Sequence, residues 1–354
     1  MAAASSPQSK SVRPVRPAVK WTVRIGAVAF GLLLGAAAAE GVLRMAARAG
    51  MTGGPPQRPR DADIAGLPSI EGVFSLAKRN QRANYRGALY FTNSEGFRGP
   101  EYAKTKPPGT FRIEMIGDSF TMGSGVRVEQ AYPALVESAL NAAGEARRYE
   151  VLNLGLSGLS LRGIIEQRLL PVGLAYDPDM LVYGFTVNDL EGPAYQRIAR
   201  VPGEPSGSLL FDLIHERWDY VRDIVWPSRS SYVRELDDNF FRTPAAWRAF
   251  EDDLDRLATI AGERGVCVTV LLHTQLTALN SLHPFLRHYD AVARAARARG
   301  MFVAESFPYF EGVDDDQYMC GVFDPHPNIA GHQVLAEALL HRLRELPAEC
   351  WRER

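Results

Sequence analysis

Two short clusters in this sequence hold the residue types that acyl-transfer chemistry needs. The segment Phe323-Asp324-Pro325-His326-Pro327-Asn328 sets a carboxylate two residues before an imidazole, each followed by proline. Proline disfavours the helical region for the residue before it, so Asp324 and His326 are both expected to be extended. Alternate residues of an extended segment point to one side, which brings carboxylate and ring together. Such a pair fixes a histidine tautomer and activates a serine hydroxyl. The candidate serine is Ser119 in Gly117-Asp118-Ser119-Phe120, directly after an apolar run, where Gly117 permits a sharp turn. Gly158, closing Gly155-Leu156-Ser157-Gly158, can bring a backbone N–H close to substrate, and Asn188 carries an amide donor. Both suit a site where negative charge develops on oxygen. Taken singly, each cluster has a plainer explanation. Gly-Asp-Ser is a common loop sequence, and the Asp–His pair also reads as a capping turn with Asn328 at the N-cap of the following helix.

The elements that must position these residues alternate. Strands are expected at Phe111–Ile116, Tyr149–Leu154, Met180–Phe185, Val266–Leu272 and Met301–Ala304. Helices are expected at Ala131–Ala143, Leu161–Leu170, Trp247–Arg264, Phe285–Arg299 and Ile329–Leu346. Leu254, Leu257, Ile260 and Ala261 form one apolar stripe, and Leu335, Leu339 and Leu343 another. Strand–helix alternation with crossover-length helices implies a mostly parallel α/β sheet covered on both faces. Sites on such sheets lie at the carboxyl ends of the strands. The polar clusters fall there: after the first, second and third strands, and before the last helix.

Bulk properties exclude other classes. The chain has 354 residues, 46% hydrophobic and 23% charged, with a formal net charge of −1. That is ordinary globular composition, without the basic face a nucleic-acid binder needs. No Cys-x-x-Cys or His-Glu-x-x-His occurs, so no zinc site is signalled. Asp314-Asp315-Asp316 reads as a solvated acidic loop. Of the three cysteines, Cys267 lies in an apolar run and reads as core, and an oxidising compartment would allow Cys320 and Cys350 to pair.

The N-terminal third has a different character. Residues 1–24 are polar and basic, and Ile25 to Ala39 is uncharged. Those fifteen residues span about 22 Å as a helix, and flanking apolar residues extend 25–45 toward a ~30 Å hydrocarbon core. Two readings stand: a single-pass membrane anchor, or a signal peptide cleaved near Ala37-Ala38-Ala39. Both place the remaining chain outside the cytoplasm. A linker and strap follow at 46–104, then a domain at 105–354. That domain is interrupted by an aromatic-rich insertion, 190–243, which suits a lid or a small satellite core.

Together these residues resemble the SGNH (GDSL-type) hydrolase superfamily over about 105–345. Gly117-Asp118-Ser119-Phe120 is similar to its nucleophile block, Asn153 to Gly158 to its glycine block, and Val187-Asn188-Asp189 to its asparagine block. Asp324 and His326 are similar to its acid and base. Two departures stand out: Val187 replaces a common glycine, and the acid precedes the histidine by two residues where the family commonly has three. His332 is the rival base. The resemblance implies a flavodoxin-like three-layer α/β/α sandwich, and an oxyanion hole formed by Ser119, Gly158 and Asn188. It implies a serine esterase acting on lipid, glycan or cell-envelope esters with no cofactor or metal. The same triad would serve an O-acyltransferase of an envelope polysaccharide, and a non-catalytic envelope protein on this scaffold is the third reading.

Overall fold

The computed structural model describes residues 17–48, 62–70, 76–144, 147–190, 208, 210, 231–321 and 324–353. Two compact units separate: Met1–Thr52 with Pro205–Ile214, and Gly53–Glu204 with His215–Arg354. The first is built on helix α1 (Pro17–Arg48), which contains the apolar run. Val28, Phe30, Leu32, Leu33 and Leu34 on it are exposed. Among the described residues no helix is long and apolar enough to cross a membrane.

The second unit carries the sheet. Strands β1 (Arg82–Tyr85) and β2 (Ala88–Phe91) pair antiparallel as a hairpin. The main sheet follows, with β3 (Thr110–Gly117), β4 (Arg148–Asn153), β5 (Met180–Phe185), β6 (Cys267–Leu272) and β7 (Phe302–Glu305). Its order is β4-β3-β5-β6-β7, and every pairing is parallel. This is the flavodoxin-like order, in which the chain leaves β3 in one direction and returns to β5 on the other side. The crevice between the carboxyl ends of β3 and β5 is therefore the topological switch point.

Burial follows from the alternation of side chains along each strand. Leu181, Tyr183 and Phe185 join one core, and Met180 and Val182 the other. The first core is closed by α4 (Leu161–Ile164, continued by a π turn), α5 (Pro244–Arg264) and α6 (Leu286–Ala298). The second is closed by α3 (Tyr132–Ala142) and α7 (Ile329–Arg344). The three layers are thus helices, sheet and helices. The expected stripes face inward: Leu254, Leu257, Leu335, Leu339 and Leu343 are fully buried.

Two expectations need restating. The disulfide joins Cys267 to Cys350, with Cα atoms 5.4 Å apart, and not Cys320 to Cys350. Cys267 opens β6 at the amino end of the sheet, where the C-terminal turn Ala348–Trp351 packs. Cys320 is buried in the short strand β8 (Met319–Gly321), where its thiol donates to the Pro327 carbonyl. Of the insertion's aromatic residues, Phe211, Trp218, Tyr220 and Trp226 lie outside the described residues. Phe240 is buried in the first core against Trp247 and His288.

Candidate active site

Ser119 starts helix α2 (Ser119–Met122), a single turn that begins immediately beyond β3. Asp118 caps it by accepting from the Phe120 N–H at 2.9 Å, and Gly123 ends it in the left-handed conformation. The turn is gripped from behind. Arg98, itself buried, donates to the carbonyls of Met122, Gly123 and Val126. Burial pushes the Arg98 guanidinium down to about 10, and it stays protonated at neutral pH. Asn153, at the end of β4, donates to the Thr121 carbonyl at 2.9 Å. Gly155 lies so close that a Cβ there would sit 2.4 Å from the Met122 nitrogen, so only glycine lets these loops meet.

The candidate acid and base, Asp324 and His326, lie on β9 (Asp324–Pro327), which pairs antiparallel with β8. Its extended backbone is the conformation the two prolines favour. His326 Nε2 lies 2.9 Å from Ser119 Oγ, and His326 Nδ1 lies 2.6 Å from Asp324 Oδ1. The Nδ1–H donates to the carboxylate, which leaves Nε2 as the acceptor facing the serine hydroxyl. Burial would push the Asp324 carboxyl up. The hydrogen bond and charge of His326, joined by Arg86, outweigh it and hold the group well below the usual carboxylate range. Asn328 then caps α7 by accepting from the Gly331 N–H at 3.0 Å.

Asn188 lies in a short turn (Val187–Leu190) directly after β5, across the switch point from Ser119. Its Nδ2 donates to Asp118 Oδ2 at 3.2 Å. An amide nitrogen carries two hydrogens, so this bond aims the second one. Asp118 thereby ties the turn bearing Ser119 to the turn bearing Asn188. Burial pushes the Asp118 carboxyl up, against its bonds from the Phe120 N–H and Asn188 and the charge of His326. Gly158 is exposed on the β4–α4 loop with φ +79°, a conformation that glycine adopts without strain.

Two other histidines near the site are packed. His332 is fully buried, stacks on Tyr132 and accepts from the Tyr132 N–H; burial pushes it down to about 3. His273 is also fully buried, stacks on Phe120, and burial pushes it down to about 3. Asp314, Asp315 and Asp316 share a surface turn with their carboxylates within 4.8 Å of one another, and Asp314 accepts from the Asp316 N–H.

Arg86 and Arg98 carry no sequence signal of their role. Arg86, at the tip of the β1–β2 hairpin, places Nη1 3.0 Å from Asp324 Oδ2. Asp118 sits inside the recognised motif, but its bond to Asn188 becomes visible only when β3 and β5 are side by side.

No curated protein matches the chain. Among solved structures it is similar to an acetylxylan esterase from Geobacillus stearothermophilus, with 17% identity and a TM-score of 0.42, covering 66% of this chain and 94% of that one. It is similar to TesA, with 19% identity and a TM-score of 0.42, covering 67% and 99%. It is also similar to an alpha/beta hydrolase from the metagenome of Lake Arreo, Spain, with 20% identity and a TM-score of 0.41, covering 67% and 96%. The model of the GDSL-like lipase/acylhydrolase family matches residues 115–334, which is more than half of the chain and runs from the strand before Ser119 to the helix after His326. The chain therefore belongs to the GDSL-like lipase/acylhydrolase family.

Proposed function

We propose that this serine ester hydrolase works through an acyl-enzyme on Ser119, with His326 as general base and Asp324 as its orienting acid. The observation that carries the reading is the unbroken chain from Asp324 Oδ1 through both ring nitrogens of His326 to Ser119 Oγ. As Ser119 Oγ attacks the ester carbonyl carbon, His326 Nε2 takes its proton. The carbonyl oxygen gains negative charge, held by the backbone N–H groups of Ser119 and Gly158 and by the second N–H of Asn188. The bond to the alcohol breaks as His326 returns the proton to the leaving oxygen. Water then attacks the acyl-enzyme with His326 again as base, and the acid departs. The depressed Asp324 carboxyl remains ionised throughout, which is what stabilises the imidazolium.

The substrates we assign are acyl esters of lipids, glycans or cell-envelope polymers. We infer further that α1 tethers the chain to a membrane, with the catalytic unit outside the cytoplasm. The exposed apolar residues of α1, the basic segment before it and the Cys267–Cys350 disulfide support this placement.

The test is hydrolysis of p-nitrophenyl acetate, butyrate and octanoate by the full chain beside Ser119→Ala. We expect hydrolysis by the wild type, loss of at least about a thousandfold in the variant, and a chain-length preference that defines the acyl pocket. Equal rates for the two proteins would remove the assignment of Ser119.

A further inference from the structure

The hairpin that precedes the matched family region reaches into the candidate site through one side chain. Arg86 and Gly87 form its two-residue turn, both at positive φ (52° and 80°). Hairpins of this kind favour Asn-Gly or Gly-Gly, and an arginine there is uncommon. Backbone strain of this sort persists where the surroundings over-determine it, and it clusters at active sites. The turn is well braced. Asn84 Oδ1 accepts from the Gly87 N–H at 2.9 Å, and Tyr85 packs against Tyr90 beneath. Asn84 also bonds the 68–70 segment through both its backbone groups. The Arg86 guanidinium lies 5.6 Å over the Tyr85 ring, with its side chain 22% exposed. From there Nη1 stands 3.0 Å from Asp324 Oδ2 and 3.3 Å from His326 Nδ1.

We infer that Arg86 is a positioning residue for the proposed esterase reaction: the hairpin delivers its guanidinium to the outer oxygen of Asp324, so that the inner oxygen is held against His326 Nδ1. This rests on the reading of Ser119, His326 and Asp324 as the catalytic centre. The Asp324 carboxylate is largely buried, and a buried charge needs partners for both oxygens. His326 supplies one. The Arg86 side chain supplies the other from far earlier in the sequence.

The experiment compares the full chain with Arg86→Ala and Arg86→Lys on p-nitrophenyl acetate, with Ser119→Ala as control. Arg86→Ala is expected to lower kcat by on the order of tenfold to a hundredfold, with KM held within about twofold, the scale at which misplaced catalytic groups act. Millimolar guanidinium chloride, far below denaturing concentration, is expected to restore part of kcat in Arg86→Ala and to leave the wild type unchanged. Arg86→Lys, which keeps the charge and loses the fork, is expected to fall between the two. Unchanged kcat in Arg86→Ala, or a loss confined to KM, would overturn the inference while leaving the esterase reading intact. Should Arg86→Ala not fold, Arg86→Lys decides by the same readouts, with wild-type kcat as the contrary result. Wild-type activity in Ser119→Ala removes the catalytic reading, and the role of Arg86 with it.

Discussion

At the scale of single residues, function here depends on which hydrogen bonds are already committed. Asn188 spends one amide hydrogen on Asp118, and in the proposed mechanism the orientation this imposes offers the other to the oxyanion. Asn188→Ala is therefore expected to lower kcat by about a hundredfold or more with a small change in KM, since the lost bond forms chiefly in the transition state. Steady-state kinetics on p-nitrophenyl acetate would check this, and a KM-only effect would count against it. Asp324 and His326 were legible in the sequence because two neighbouring prolines force their backbone, a purely local effect. Arg86 and Arg98 were not legible. Each acts on a segment far away in the chain, and nothing beside it in sequence announces the partner. The disulfide shows the same limit: Cys267 reads as a core residue until the C-terminal turn is seen packed at the start of β6.

At the scale of elements, the strands were the easiest to read. Met180–Phe185 is apolar throughout because both faces of β5 are covered, and its expected and observed limits coincide. Helix α5 begins three residues earlier than the apolar stripe suggests, because Pro244 opens its first turn and needs no donor there. The interior strand β3 carries an anomaly that periodicity hides. Glu114 is fully buried on it, neither carboxyl oxygen has a hydrogen-bond partner among the described residues, and burial pushes the group up to about 8. The folded state therefore holds this proton more tightly than the unfolded chain, whose ordinary value is 4.5. Its contribution to stability is full below about 4.5 and declines as pH rises toward about 8. Glu114→Gln is expected to remove that decline. Thermal melts should show the variant more stable than wild type at pH 8, by on the order of a few kcal/mol, and little different at pH 4. Parallel stability curves for the two proteins would contradict this account of Glu114.

At the scale of the whole molecule, the five-stranded parallel order explains why four separated sequence clusters meet. β3 and β5 are neighbours although β4 lies between them in sequence, so the turns bearing Ser119 and Asn188 flank one crevice. The hairpin before the sheet and the β8–β9 pair before the last helix then supply Arg86, Asp324 and His326. The proposed tether makes a separate prediction. The full chain should remain in the membrane pellet after alkaline carbonate washing, and removal of residues 1–48 should release it. A soluble product whose N-terminus begins just after Ala39 would replace the anchor with a cleaved signal.

The central claim is that Ser119 is the nucleophile, and the most direct measurement is covalent capture. Treatment of the full chain with a fluorophosphonate, followed by intact-mass analysis and peptide mapping, should show one adduct on Ser119. The adduct should be absent from Ser119→Ala and much slower to form in His326→Ala. An unmodified Ser119 under conditions that label a control serine esterase, or an adduct that persists in Ser119→Ala, would contradict the account.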